Sequence, residues 1–299
     1  MPFESPEARL RARQRSDGAF PRFAGGDGEI ESTAWGALAL ALAPAADPAA
    51  AKRAGSVLER LQRADGRLSI APPHPGNCWP TAIAVLAWRA LRNPSPPVEK
   101  ALDFLEGQQG DHWTRPADWP LGHDPSLVGW PWVEGTSSWV EPTAFALLAL
   151  TAGGRGHGAR ALEGRRLLLD RQIPGGGWNY GNPSAFGREL LPTPESSGLA
   201  LAALAGTAPR SSVGPSLRYL EAELPHLATP LALGWTVLGL AAWGERPSAA
   251  EDRIDACLAR DPAPAEPYDT IEIALLALAR KAPNGLLAVL ATHEQVPPG

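Results

Sequence analysis

Apolar and polar positions along this chain follow two alternating helical patterns. A short, wholly apolar phrase recurs at Gly36–Leu40, Ala84–Trp88, Ala146–Leu150, Ala200–Leu204, Thr236–Leu240 and Ala274–Leu278. Helices that are apolar all round are buried on every side. Between these phrases lie segments with charge on one face and Leu or Ala on the other. They are Glu4–Gln14, Pro48–Gln62, Val98–Gln109, Gly158–Gln172, Val213–Leu224 and Ala249–Arg260. Their pattern predicts amphipathic helices with one wet face. Runs of alternating β-branched residues are nearly absent, so strands are not expected. Six repeats of one buried and one amphipathic helix predict two concentric layers closing into a ring. Gly285–His293 adds one further helix. The expected fold is all-α, an α/α toroid of about six hairpins forming one domain over residues 1–299.

A second phrase marks the ends of the outer helices. Gln14 is followed by Gly18 and Phe20, Gln62 by Gly66 and Leu68, and Gln172 by Gly176 and Trp178. Glycine takes the left-handed conformation that ends a helix. The glutamine amide can bond to backbone groups of a neighbouring helix end, and the aromatic can pack across the gap. Each such turn leads into the next inner helix, so these loops share one mouth of the ring. Two of the loops are long. Gln109–Trp139 carries Trp113, Trp119, Trp130, Trp132 and Trp139, and the loop from Trp178 to Pro194 carries Tyr180 and Phe186. Loops of this length are usually functional.

Composition narrows the function. The 299 residues are 44% apolar and 20% charged with a net charge of −5, and the basic residues form no block. Nucleic acid is therefore not an expected partner. Two distant cysteines and a charged N-terminus without an apolar leader suit a reducing, cytoplasmic compartment. Eleven tryptophans against three tyrosines and six phenylalanines concentrate at the two long loops. They suggest an aromatic pocket for a greasy or cationic ligand, since ring faces attract cations. Packing of the loops by the same tryptophans is the other reading.

The outer-helix phrase, with Arg53-Ala54 and Val57-Leu58 before Gln62 and Lys100-Ala101 and Phe104-Leu105 before Gln109, resembles the QW repeat of squalene and oxidosqualene cyclases. More widely the chain is similar to the terpene cyclase/protein prenyltransferase superfamily. The match is good at Gln62 and Gln172, partial at Gln14, broken at Gln109, and lost where Leu224 and Leu258 stand for the glutamine. The resemblance implies an α/α toroid that handles an isoprenoid or similar hydrophobic small molecule. It further implies cyclisation or isomerisation started by protonation. In class II cyclases an Asp-x-Asp-Asp-Thr-Ala motif supplies the acid. Alignment on Thr143-Ala144 puts Glu141 on the middle Asp, while Trp139 and Pro142 replace the other two acids. Trp35, Trp79, Trp130, Trp132, Trp139, Trp178 and Tyr180 are the expected ligand-binding aromatics.

Several alternatives stay open on the residues alone. Glu31, Glu195 and Asp269 fall at the Glu141 position of other hairpins, a recurrence that also suits helix caps. The prenyltransferase branch binds zinc at these helix starts. Here Val140, Pro142 and Thr270 occupy such positions and only Cys78, with His74, could ligate. Asp124, Glu134 and Glu141 among tryptophans would suit a two-carboxylate glycosidase. A non-catalytic binding or scaffold toroid is the remaining option. The sequence calls for no cofactor or bound metal and names no protein partner. Peripheral membrane association is compatible with a hydrophobic ligand.

Overall fold

The computed structural model describes residues 4–43, 48–71, 74, 76–92, 96–260 and 268–295. Six outer helices alternate with six inner ones. The outer set is α1 (Pro6–Arg13), α3 (Pro48–Leu61), α5 (Pro96–Gly107), α7 (Ala159–Asp170), α9 (Arg210–Glu223) and α11 (Ala250–Ala259). The inner set is α2 (Ile30–Ala41), α4 (Pro80–Ala90), α6 (Val140–Ala152), α8 (Pro194–Leu204), α10 (Pro230–Ala242) and α12 (Thr270–Lys281). Among the described residues, strands are confined to two hairpins of two-residue arms, β1–β2 (Phe20–Pro21, Gly28–Glu29) and β3–β4 (Ser184–Ala185, Arg188–Glu189).

The burial pattern explains the composition of each layer. From Ser32 to Ala41 every residue of α2 is buried, because this helix touches its outer partners, two inner neighbours and the ring's centre. In α3 only Ala50, Ala51, Ala54, Gly55, Val57 and Leu58 are buried, which is one helical face. Small residues bring inner helices close. A Cβ on Gly198 would lie 2.3 Å from the Trp235 carbonyl, and one on Gly239 would lie 2.5 Å from the Gly198 carbonyl. That contact sets the spacing of α8 and α10.

The ring closes between its first and last hairpins. Helix α12 packs on α1 and α2. The Thr270 amide donates to the Arg22 carbonyl at 2.8 Å, and the Thr270 hydroxyl donates to the Pro21 carbonyl at 2.7 Å. The additional helix α13 (Leu286–Gln295) packs on α4, α6, α10 and α12, so it lies across the far end of the ring. Leu286 and Leu290 are buried there, and the Arg92 guanidinium donates to the His293 carbonyl. The opposite end, where the inner helices begin, is the mouth.

The turn phrase acts as a bolt between outer helices. The Gln62 amide donates to the Gly66 carbonyl at 2.9 Å and to Pro97, in the first turn of the next outer helix, at 2.8 Å. Gln14 makes the same pair to Gly18 and Ala50. Gln172 differs, donating to the Ser216 hydroxyl at 2.7 Å. Gly66 sits at φ +91°, and a Cβ there would fall 2.0 Å from the Lys100 carbonyl. Both the left-handed backbone and the close approach require glycine. At the broken repeat, Arg160 of α7 substitutes. Its guanidinium donates to the carbonyls of Gln108, Val128 and Gly129 and lies 3.8 Å from the Trp130 ring centre.

Candidate active site

The mouth opens into a cavity of about 410 Å³. Its walls follow from helical geometry. Residues four apart lie one above the other on a helix face, and five inner helices each offer such a pair. They are Glu31 and Trp35 on α2, Glu141 and Phe145 on α6, Glu195 and Leu199 on α8, Leu231 and Trp235 on α10, and Ile271 and Leu275 on α12. The upper tier is therefore acidic on one side and aliphatic on the other, and the lower tier is wholly apolar. Helix α4 contributes no such pair. Trp132, from the long loop, stands in front of it, edge-on to Trp79 with ring centres 5.0 Å apart.

Three rings form the floor. Trp35, Phe145 and Trp235 meet edge to face, with centres 6.2, 5.9 and 5.8 Å apart around the triangle. The upper carboxyls sit just above this apolar base. Burial pushes the Glu141 carboxyl above its ordinary range. A hydrogen bond from Ser196 opposes the shift, and the nearby Glu195 charge adds to it. Helix N-termini favour the anion, so here desolvation outweighs the dipole. The Thr193 hydroxyl donates to Ser196 Oγ at 3.0 Å, and Ser196 donates to Glu141 Oε1 at 3.0 Å. With Oε1 accepting, the acid proton belongs on Oε2. Glu31 is also raised by burial, opposed by a hydrogen bond from Trp79 and by the Arg22 charge.

The toroid is found in solved structures. The cyclase MstE from Scytonema matches with a TM-score of 0.60 at 16% identity, over 96% of this chain and 96% of that one. The chain has the α/α-toroid fold of the type II terpene cyclases. Another structure of MstE holds its substrate, geranylgeranyl dihydroxybenzoate. The ent-copalyl diphosphate synthase of Streptomyces platensis matches at TM-score 0.55 and 20% identity, over 88% of this chain and 50% of its own. An inactive α-1,6-mannanase variant from Salegentibacter, with mannotriose bound, shares the toroid at TM-score 0.61 and 13% identity, over 93% and 97%. No family model and no curated protein sequence matches the chain.

Within this toroid the expected site residues separate. Glu141, Trp35, Trp132 and Tyr180 line the cavity, with Tyr180 at its rim and 59% exposed. Trp79 does not line it, and acts on Glu31 by opposing the upward shift of that carboxyl. Trp130 and Trp178 do not reach the cavity. Each is fully buried between layers, and its indole N–H donates to a carbonyl in the last turn of an outer helix, Leu105 and Leu168 respectively. These carbonyls lack a complete set of intrahelical partners, which is why the repeat favours tryptophan there.

Trp139 faces a different, smaller pocket of about 190 Å³ between the long loops, with Trp113, Trp119, His123 and Arg171. The loops are joined by Gly122 donating to the Ser184 carbonyl and Phe186 to that of Pro120, both at 2.8 Å. Burial, with the charges of Arg171 and Arg115, holds His123 down to about 4, so it is neutral at pH 7.

The expected register of the acidic residues needs one correction. Asp269 is two residues out of step with Glu31, Glu141 and Glu195, and Ile271 fills their tier. Asp269 is a cap: its carboxylate accepts from Glu272, whose side chain accepts from the Asp269 amide. It also pairs with Arg22 at 3.1 Å. Phe145, Trp235, Leu199 and Leu275 were not singled out by sequence. The i+4 step from each first-turn residue was the available signal.

The residues for the other chemistries disperse. Asp124 accepts from the amide and hydroxyl of Ser126, and Glu134 is exposed and paired with Arg67 at 3.1 Å. Cys78 is buried, which raises its thiol, while His74 is exposed. Among the described residues no group of three or more His, Cys, Asp or Glu side chains is placed to hold a metal ion.

Proposed function

We propose that the cavity binds a linear isoprenoid and cyclises or isomerises it, with Glu141 as the proton donor. The observation carrying this reading is one carboxyl, oriented by Ser196 and biased toward its neutral form, above a floor of Trp35, Phe145 and Trp235. The acid delivers its Oε2 proton to a terminal carbon–carbon double bond. The resulting carbocation is attacked by the next double bond, and a proton leaves at the end, so the overall change is an isomerisation. Ring faces stabilise each cation by their quadrupole, by roughly 0.5–2 kcal/mol per contact. An apolar lower tier gives the cation no nucleophile to capture it prematurely. A volume of about 410 Å³ falls within the usual range for small-ligand pockets.

Sugar hydrolysis fits less well, despite the mannanase likeness. A glycan needs polar partners along its length, and the lower tier supplies five apolar side chains. Incubation of the purified protein with squalene, geranylgeraniol and farnesol, analysed by gas chromatography and mass spectrometry, is expected to give cyclic isomers of unchanged mass. Hydrolysis of mannan oligosaccharides with no change to any polyprene would replace this reading with the glycosidase one.

The mouth also suits delivery from a lipid phase. Phe186 and Leu191 are 84% and 85% exposed on the loop bearing β3–β4, beside Tyr180. No single helix among the described residues is long and apolar enough to cross a membrane. Surface contact through Phe186 and Leu191 is the proposed mode. The wild type is expected to sediment with phosphatidylcholine vesicles, and the Phe186→Ser, Leu191→Ser double variant to remain in the supernatant. Equal sedimentation of both would remove the loop from this role.

A further inference from the structure

Resting on that reading of the cavity, we infer that its substrate is a polyprene with an uncharged head and that the mouth excludes the corresponding diphosphate. Four carboxyl groups, Glu31, Glu141, Glu195 and Asp269, face one cation, Arg22. That cation already faces a carboxylate, its Nε lying 3.1 Å from Asp269. A diphosphate carries several negative charges and would meet no unpaired positive side chain on entering.

Backbone donors are the usual alternative. Six helix N-termini converge on the mouth, and such termini ordinarily bind phosphate through free N–H groups. Here several of those donors have been removed or used on α4, α6, α8, α10 and α12. Pro80, Pro142, Pro194 and Pro230 stand in the first turns of α4, α6, α8 and α10, and proline has no N–H. On α12 the amides of Asp269, Thr270 and Glu272 bond to the Glu272 side chain, the Arg22 carbonyl and the Asp269 side chain. On α6 the Val140 amide bonds to the Tyr180 carbonyl at 3.0 Å, and on α8 that of Ser196 bonds to the Thr193 hydroxyl. The positive end of the α8 dipole is offset by the first-turn carboxyl of Glu195.

The neighbouring loop pocket does not supply the missing cation. Arg171 is buried, and its Nη1 already donates to the Gly181 carbonyl at 2.7 Å. His123 is neutral at pH 7 for the reasons given above. An alcohol, by contrast, needs only one or two partners at the rim, and Thr193 and Glu195 are placed there.

The test compares matched heads on one tail. Geranylgeraniol and geranylgeranyl diphosphate are titrated in the same non-ionic detergent, and quenching of intrinsic tryptophan fluorescence is read. The alcohol is expected to bind more tightly by about ten-fold or more, since like-charge contacts oppose binding. Glu195→Lys should narrow that ratio or reverse it, with thermal melts confirming that the variant folds. The wild-type ratio decides the matter even if this variant does not fold. Diphosphate binding equal to or tighter than alcohol overturns the inference and leaves the cyclase reading standing. Binding of neither overturns both.

Discussion

Glu141→Gln lowers turnover of a linear polyprene by about 10²–10⁴-fold, the contribution of one positioned general acid, and leaves its binding nearly unchanged. Glutamine keeps an Oε1 that accepts from Ser196, so the geometry of the mouth survives. What disappears is the transferable proton. Steady-state kinetics should show the loss in kcat rather than in KM, the signature of an interaction used only in the transition state. Glu31→Gln is the companion measurement. Glu31 is half-buried on α2, one inner helix beyond α4, and is also raised by desolvation. Full activity in Glu141→Gln together with loss in Glu31→Gln would move the acid to α2.

The same variant has a stability signature whose sign is fixed by linkage. Burial raises the Glu141 carboxyl above its unfolded value. The folded protein then holds this proton more tightly than the unfolded chain does. The stabilisation is complete below the ordinary glutamate range and is lost as pH rises through the raised value. Glutamine cannot ionise, so Glu141→Gln should match the wild type in acid and exceed it at neutral to alkaline pH. Denaturant titrations at a series of pH values check this. An acid that destabilises its own fold at working pH is what a functional group, rather than a cap, should be.

The fold was legible because its signals are local and repeated. Apolar phrases of one kind at Leu86, Leu148 and Leu238 can only be inner helices, since no other arrangement buries every face. The Gln62–Gly66 turn named its own hydrogen bonds and its glycine requirement. The site was less legible, and the reason is positional. Tryptophans at 130, 132 and 139 lie within ten residues of one another, yet they face three different places: the layer between α5 and α7, the cavity, and the loop pocket. Side-chain direction in an irregular loop depends on contacts such as Trp139 donating to the Trp130 carbonyl, which no spacing encodes. On the helices the information was present but faint. Trp235 and Phe145 lie inside wholly apolar phrases, where nothing in the pattern distinguishes the central face from the others. Asp269 was placed in the wrong register because its hairpin lacks the Thr or Ser hydroxyl that, at Thr33, Thr81, Thr143 and Ser197, accepts from the preceding turn and marks the repeat.

Trp178→Ala should cost about 3–5 kcal/mol of unfolding free energy, the usual range for emptying a buried aromatic site. The ring is fully buried, and the residue is tied at every polar group. Its indole N–H closes the last turn of α7 through the Leu168 carbonyl at 2.6 Å. Its amide accepts no freedom either, donating to Ser197 Oγ at 2.8 Å, while its carbonyl receives the Thr193 amide at 2.8 Å. Trp178→Phe separates the two contributions. It keeps most of the volume but leaves the carbonyl at the helix end without its donor, at about 1–3 kcal/mol. Urea unfolding followed by circular dichroism reads both variants. The contrast with Trp132→Ala completes the argument. Trp132 is only partly buried and lines the cavity, so its removal should weaken polyprene binding with a smaller loss of stability. For Trp178→Ala the order is reversed, with affinity retained in the folded fraction. A stability loss below about 1 kcal/mol for Trp178→Ala, well short of the large-to-small range, would refute the assignment of this tryptophan to the packing between layers.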